Sequence, residues 1–256
     1  MTKARWKLLV LEVLGPLCAL GLPANASGGE DAAKTEQPEQ GEVRLDPGGQ
    51  KAVLEKIKAA FEQHPCVRAE VTKTVVDPLG LLPETEQGEL LIKRPDKILR
   101  RFSKNGTSFK AVLVRGQSSL TYNAATKKVV EKDYSRAPRR LALVRASGTG
   151  DLETLQLYYD VLVFEKSGQD GKQWRLVFHR RRGDLPYDRL QARITEGQAL
   201  FSEIRYEYRA AADGDNKTET FTAIKSQKQL SDEDFNDPLF KSPKAPKEEV
   251  EELKVE

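Results

Sequence analysis

The sequence predicts a mainly β protein with helices (α+β): a curled, half-open antiparallel β-sheet or barrel of about eleven strands, with an N-terminal helix and a helical lid over an apolar cavity. Three observations predict it. Period-two runs of apolar and polar residues recur from residue 67 to 225, punctuated by turn residues. One amphipathic stripe at helical spacing precedes them. Two apolar segments without alternation interrupt them midway, where helices can cap the mouth of a curled sheet.

The chain opens on Lys3, Arg5 and Lys7, an apolar run from Leu8 to Leu22, and Ala24-Asn25-Ala26. Together these read as a secretory signal peptide over 1–26. The run is short for a membrane span and is broken by Glu12 and Pro16. A lipobox ending at Cys18 is the poorer alternative, because Leu17 stands where a small residue is expected. With that segment removed, Cys66 is the one remaining cysteine, so stability in an oxidising compartment has to come from the core. Residues 27–49 are rich in Gly, Glu, Gln and Pro, lack aromatics, and read as a disordered linker.

A single domain is expected over 50–240. It begins with a helix from about Gln50 to Gln63, whose Val53, Ile57, Ala60 and Phe61 share one stripe and which His64-Pro65 ends. Val67, Ala69 and Val71 then alternate with Arg68, Glu70 and Thr72 as the first strand. Further strands are expected over 86–93, 97–103, 108–115, 119–122 and 128–132, with Asn105-Gly106 as a hairpin turn. Arg136–Ala146 and Leu152–Tyr159, separated by Gly148-Thr149-Gly150-Asp151, read as the two lid helices. Strands resume over 160–166, 173–180, 188–195, 200–209 and 218–225. The repeated Lys, Pro and Glu of 241–256 read as a disordered charged tail.

The stretch Gln87-Gly88-Glu89-Leu90-Leu91-Ile92-Lys93-Arg94-Pro95 concentrates the chemistry. Alternation places Arg94 on the face that carries Leu90 and Ile92, and burying an unpaired charge there is costly. Its head either reaches water at the rim of the sheet or meets dedicated acceptors. The apolar residues Leu90, Ile92, Ile98, Leu113, Leu120, Tyr122, Phe164 and Phe178 either line a cavity or fill a core, and pattern alone favours the core.

Gly88-x-Leu90-x-x-Lys93-Arg94-Pro95 resembles the corresponding segment of the periplasmic outer-membrane lipoprotein carriers (LolA-like proteins). Val67-x-Ala69-x-Val71-Thr72, Leu113-Val114-x-Gly116 with Leu120-x-Tyr122-Asn123, Leu176 through Phe178, Phe221-x-x-Ile224 with Lys225-Ser226-Gln227, and Leu230 to Phe235 resemble other parts of those carriers in the same order. The resemblance implies an apolar cavity for the acyl chains of lipoproteins, lined by the eight residues above. It also implies that Arg94 latches the lid by hydrogen bonds to lid carbonyls. The implied partners are acylated lipoproteins, an inner-membrane lipoprotein-releasing ABC transporter and an outer-membrane acceptor lipoprotein, with the carrier itself a monomer. The chain departs from the pattern at Val67, Val71, Lys73, Arg100 and Asp237, which implies a smaller or more polar cavity.

Other function classes find little support. The formal charge is +3, and the part between the two acidic terminal segments carries about +6 without a dense cluster beyond Arg180-Arg181-Arg182, so no nucleic-acid partner is expected. Two distant histidines, one mature cysteine and no Gly-x-Ser-x-Gly elbow suggest neither metal site, cofactor nor enzyme. No phosphate-binding Gly-x-x-x-x-Gly-Lys-Ser/Thr segment is present, so any ATP use belongs to a partner. The expected function is a periplasmic carrier shuttling lipoproteins from inner to outer membrane. Its rivals are a carrier of phospholipid or glycolipid, a lipoprotein-sensing regulatory subunit on the same fold, and a lipid-cleaving enzyme.

Overall fold

The helix at the start of the domain shows how local chemistry sets the frame. Asp46 is its N-cap, accepting from the Gly49 amide, and Pro47 occupies the first turn, so α1 (Pro47–Gln63) begins earlier than the apolar stripe alone suggests. The computed structural model describes residues 36–253 except 77–82, 105–106, 125, 169–170, 182–184, 186 and 209–215. The expected signal peptide and the Asn105-Gly106 turn lie outside the described residues.

A first meander follows α1: β2 (Cys66–Val76), β3 (Glu84–Lys93), β4 (Lys97–Lys104), β5 (Thr107–Arg115), β6 (Ser118–Asn123) and β7 (Lys128–Asp133). Two helices come next, α2 (Pro138–Thr149) and α3 (Leu152–Tyr158). The second meander is β8 (Tyr159–Gly168), β9 (Gly171–Arg180), β10 (Tyr187–Thr195), β11 (Glu203–Tyr208) and β12 (Asn216–Gln227). β12 pairs back onto β2, so β7 and β8 lie far apart in one open sheet. The chain must cross between them, and α2 and α3 are that crossing. Topology therefore puts these helices over one face, called the inner face below.

The eleven expected strands are all present, and two short ones join them. β1 (Val43–Arg44) pairs antiparallel with β8, and β13 (Glu248–Glu249) pairs parallel with β7, giving thirteen strands among the described residues. Val53, Ile57 and Phe61 of α1, Leu141 and Leu143 of α2, and Leu152 and Leu155 of α3 pack with inner-face residues in one apolar cluster. Each such side chain contributes roughly 1.5–3 kcal/mol on burial.

Residues 36–42, part of the segment read as linker from composition, lie across the opposite face instead. There β9 and β10 set Arg175 opposite Arg193 and His179 opposite Arg189. Of these, Arg175 and Arg193 are like charges in cross-strand register, which is unfavourable, whereas burial lowers the His179 pKa. Glu42 accepts from Arg175 Nη2 at 2.6 Å, Glu39 pairs with Arg193 Nη2 at 2.6 Å, and Glu36 accepts from Arg189 Nη2 at 2.8 Å and Arg175 Nη1 at 3.1 Å. The acids of this strap offset the array of cations beneath it. Burial alone would raise the Glu36 pKa, but the Arg189 and Arg175 hydrogen bonds outweigh it and lower it.

The tail is engaged as well. Val250 donates to the Asp133 carbonyl at 2.9 Å, and Leu253 is buried in the main cluster. Ala137, the N-cap of α2, makes no side-chain cap, and Glu252 supplies one, accepting from the Arg139 and Arg140 amides at 3.0 and 3.1 Å. No helix of the described residues is long and apolar enough to cross a membrane.

Candidate functional site

β3 ends at Lys93, and Arg94 follows with its own amide donating to the Pro65 carbonyl at 2.8 Å. This fixes the side chain under the ends of two helices. Its Nη1 donates to the His64 carbonyl at 2.6 Å, and Nε and Nη2 donate to the Thr149 carbonyl at 3.3 and 3.1 Å. Nη2 also reaches the Ala199 carbonyl at 3.0 Å. His64 is the C-cap of α1, and Thr149 is the last residue of α2. Carbonyls at helix C-termini lack intrahelical partners and carry partial negative charge, so a guanidinium fork suits them.

No carboxylate is among these partners. The guanidinium lies 4.7 Å from the centre of the Phe61 ring, and Phe61 meets Phe201 edge-on at 5.3 Å. Burial pushes the Arg94 pKa down to about 10, which leaves the group charged at neutral pH. Tight backbone approach closes the arrangement. Gly150 has φ +78° and a Cβ there would stand 2.4 Å from Phe61 Cε2; a Cβ on Gly148 would stand 2.7 Å from Ile98 Cδ1.

The apolar residues singled out from the sequence divide between faces. Leu90, Ile92, Ile98 and Phe178 belong to the inner-face cluster beside Arg94 and the helices. Leu113 and Leu120 belong to a cluster on the opposite face, with Tyr122 packed against it under the closing segment at Leu230 and Phe235. Phe164 is on that opposite face too, with Leu162 and Val177, beneath the Arg175 guanidinium at 4.1 Å. The reason is parity. Ala111-Val112-Leu113-Val114 and Val161-Leu162-Val163-Phe164 are apolar at every position, so alternation could not assign their faces. Val67, Val71, Phe102, Trp174, Leu176 and Phe221 are inner-face members that the initial set lacked. For four of them the signal was cross-strand register, Val67 with Ile92, Val71 and Phe102 with Gly88, and Phe221 with Val71, which emerges only once the strands are paired.

The inner face also has a charged end. Arg100 Nη1 donates to both oxygens of Glu219 at 2.7 and 2.9 Å, and the Tyr206 hydroxyl donates to the same carboxylate at 3.2 Å. Lys73 Nζ lies 2.9 Å from Glu86, and Lys110 Nζ lies 3.7 Å from it. The two ammonium groups stand 5.7 and 5.6 Å from the centre of the Phe102 ring. Burial first, and Lys73 second, pull the Lys110 pKa down to about 8. Asp237, the other polar departure, is on the opposite face, paired with Arg101 Nε at 2.9 Å.

Between α1 and α3 a groove of 780 Å³ opens to solvent, lined among others by Leu54, Lys58, Leu152, Gln156, Val161 and Arg181. Among the described residues no group of three His, Cys, Asp or Glu is arranged to hold a metal ion.

No family model and no curated protein matches the chain. Among solved structures it is similar to a LolA superfamily protein from Nitrosomonas europaea, at 12% identity and TM-score 0.39, covering 73% of this chain and 97% of that one. A DUF1329 family protein from Desulfovibrio piger is similar at 14% identity and TM-score 0.45, over 75% of this chain and 98% of that one. LprF from Mycobacterium bovis is similar at 12% identity and TM-score 0.36, over 77% and 99% of the two chains.

Proposed function

We propose that the chain is a periplasmic carrier that shelters the acyl chains of lipoproteins between its helices and sheet and passes them from inner to outer membrane, without catalysis. One observation carries this reading: a single half-buried arginine, without a carboxylate, holds two helix ends and a turn together by their carbonyls. Such a staple closes the inner face, yet nothing anionic fixes it there. Its hydrogen bonds can be returned to water when the helices lift, at a cost set by a few net bonds of about 1 kcal/mol each.

Lifting α1 and α2 would withdraw Val53, Ile57, Phe61, Leu141 and Leu143 from the sheet and leave their places to acyl chains. Burial of an acyl chain yields roughly 0.8 kcal/mol per CH₂, so several chains enclosed without any offset would bind beyond release. Exposing the helix side chains supplies the offset. The groove between α1 and α3 is the natural entry, since it already reaches Val161. Energy for loading comes from an inner-membrane ABC transporter, and an outer-membrane acceptor takes the cargo. The resemblance around Arg94 supports both partner assignments.

A second reading, a carrier of phospholipid or glycolipid, is favoured by the ionic end of the inner face, because an acylated polypeptide does not require one. Mass spectrometry of the mature protein purified gently from its native periplasm separates the two. A co-purified acylated polypeptide supports the first, and free phospholipid or glycolipid the second. Ligand-free protein that also takes up no acyl chain from vesicles would overturn the carrier reading.

A further inference from the structure

The inner face changes character along its strands. On β2 the inner-face residues run Val67, Ala69, Val71, Lys73; on β3, Ile92, Leu90, Gly88, Glu86; on β5, Val114, Val112, Lys110. The apolar rows lie under the helices and the charged residues lie at the far end. Six residues of extended strand separate Val67 from Lys73, roughly 20 Å. That is the layout of an amphipathic ligand, with acyl chains at one end and a headgroup at the other.

The charges at that end do not balance. Among the described residues three cations, Lys73, Arg100 and Lys110, face two carboxylates, Glu86 and Glu219. Glu219 is committed to Arg100 through both oxygens and to Tyr206. Glu86 is within hydrogen-bond distance of Lys73, while Lys110, at 3.7 Å, is too far to donate to it. The Lys110 side chain is 15% exposed and that of Glu86 22%, so this corner is reachable from solvent. An excess positive charge held in a mostly buried place is costly until an anion joins it.

We infer that Lys73 and Lys110, with Phe102 between them, form a subsite for the phosphodiester headgroup of an acylated lipid whose chains lie along the apolar rows. This rests on the carrier reading and narrows its ligand. Gly88 adds to the geometry: a Cβ there would stand 1.9 Å from the Arg101 carbonyl oxygen and 3.0 Å from Phe102 Cδ1, so glycine lets β4 and the Phe102 ring pack directly against β3. Lys73 stays with Glu86, and Lys110 turns its donors to the phosphate oxygens, suiting a point charge on a flexible stem.

The test is loading of the mature chain from vesicles carrying fluorescent lipids with identical acyl chains: phosphatidylglycerol, phosphatidylcholine and diacylglycerol. Phosphatidylglycerol should load about tenfold better than diacylglycerol, the worth of one charged hydrogen bond. Lys110→Gln should abolish that preference and leave diacylglycerol loading unchanged, while Lys110→Arg should restore most of it. Equal loading of all three lipids, or a preference that survives Lys110→Gln, overturns the headgroup subsite and leaves the carrier reading intact. Loading of none of them overturns both.

Discussion

Two arginines, Arg175 buried and Arg94 half-buried, hold chain segments against opposite faces of the same sheet, and they do so differently. Arg175 lies over Phe164 and is gripped by Glu36 and Glu42, with Glu39 at 3.6 Å. Arg94 lies over Phe61 and touches only carbonyls. Burial works against both charges; the carboxylates reverse this for Arg175, whose pKa is raised, whereas that of Arg94 falls to about 10. On the proposed carrier reading, the carboxylate-paired strap is the attachment that stays closed and the carbonyl-bound staple the one that opens. A segment that must open for cargo would be held by the second kind.

Replacement of the two arginines tests that contrast most directly. Arg175→Met strands the buried Glu42 and the partly buried Glu36, and should cost about 3–5 kcal/mol in denaturant unfolding. Arg94→Leu removes an uncompensated charge along with the hydrogen bonds, so its cost should be smaller, about 1–3 kcal/mol. Its functional effect should be larger: cargo held more persistently, with hand-over to an acceptor slowed roughly tenfold. Wild-type hand-over kinetics in Arg94→Leu would remove the latch role.

Acid should separate the two attachments next. Glu36 and Glu39 have pKa values lowered from 4.5, the latter chiefly by its Arg193 hydrogen bond. Their contribution is complete above that ordinary value and is lost as pH falls through the lowered ones. Hydrogen-exchange protection at β1 should therefore fall in acid before protection at the end of α2, where Arg94 has no carboxylate to lose. Simultaneous loss would mean that the strap and the staple are one cooperative unit. The smallest effect belongs to Glu39→Gln. Glu39 is 48% exposed where it meets Arg193, so the change should stay within about 0.5 kcal/mol and shrink further in high salt.

Much of the architecture was legible because antiparallel strands write their period into the chain, and all eleven expected strands are present. Arg94 was legible for a related reason, a lone cation on an apolar face. Legibility failed where alternation does. Leu113 and Phe164 sit in runs that are apolar throughout, and only pairing shows that they face away from the helices. Residues 36–45 and 241–253 were read as linker and tail because they hold few apolar residues. They are ordered by long-range partners instead: glutamates meeting arginines of β9 and β10, backbone pairing to β7, and Glu252 at the start of α2. Lys73 and Arg100 stood out singly as departures, but the register across β12, β2, β3, β4 and β5 was needed to bring them to one end of one face.

An open sheet has two flanks whose unpaired amides and carbonyls are templates for another chain. Here β8 is closed by Val43 and Arg44 and by the Leu45 amide donating to Val163, and β7 by Glu248 and Glu249 together with the Pro243 and Ala245 backbone. The sparse, charged ends of the chain are thus end-stops against polymerisation. A chain trimmed of residues 241–253 would keep most of its core and gain an adhesive flank, a hazard for a carrier of the proposed kind, which would have to open without joining its own copies.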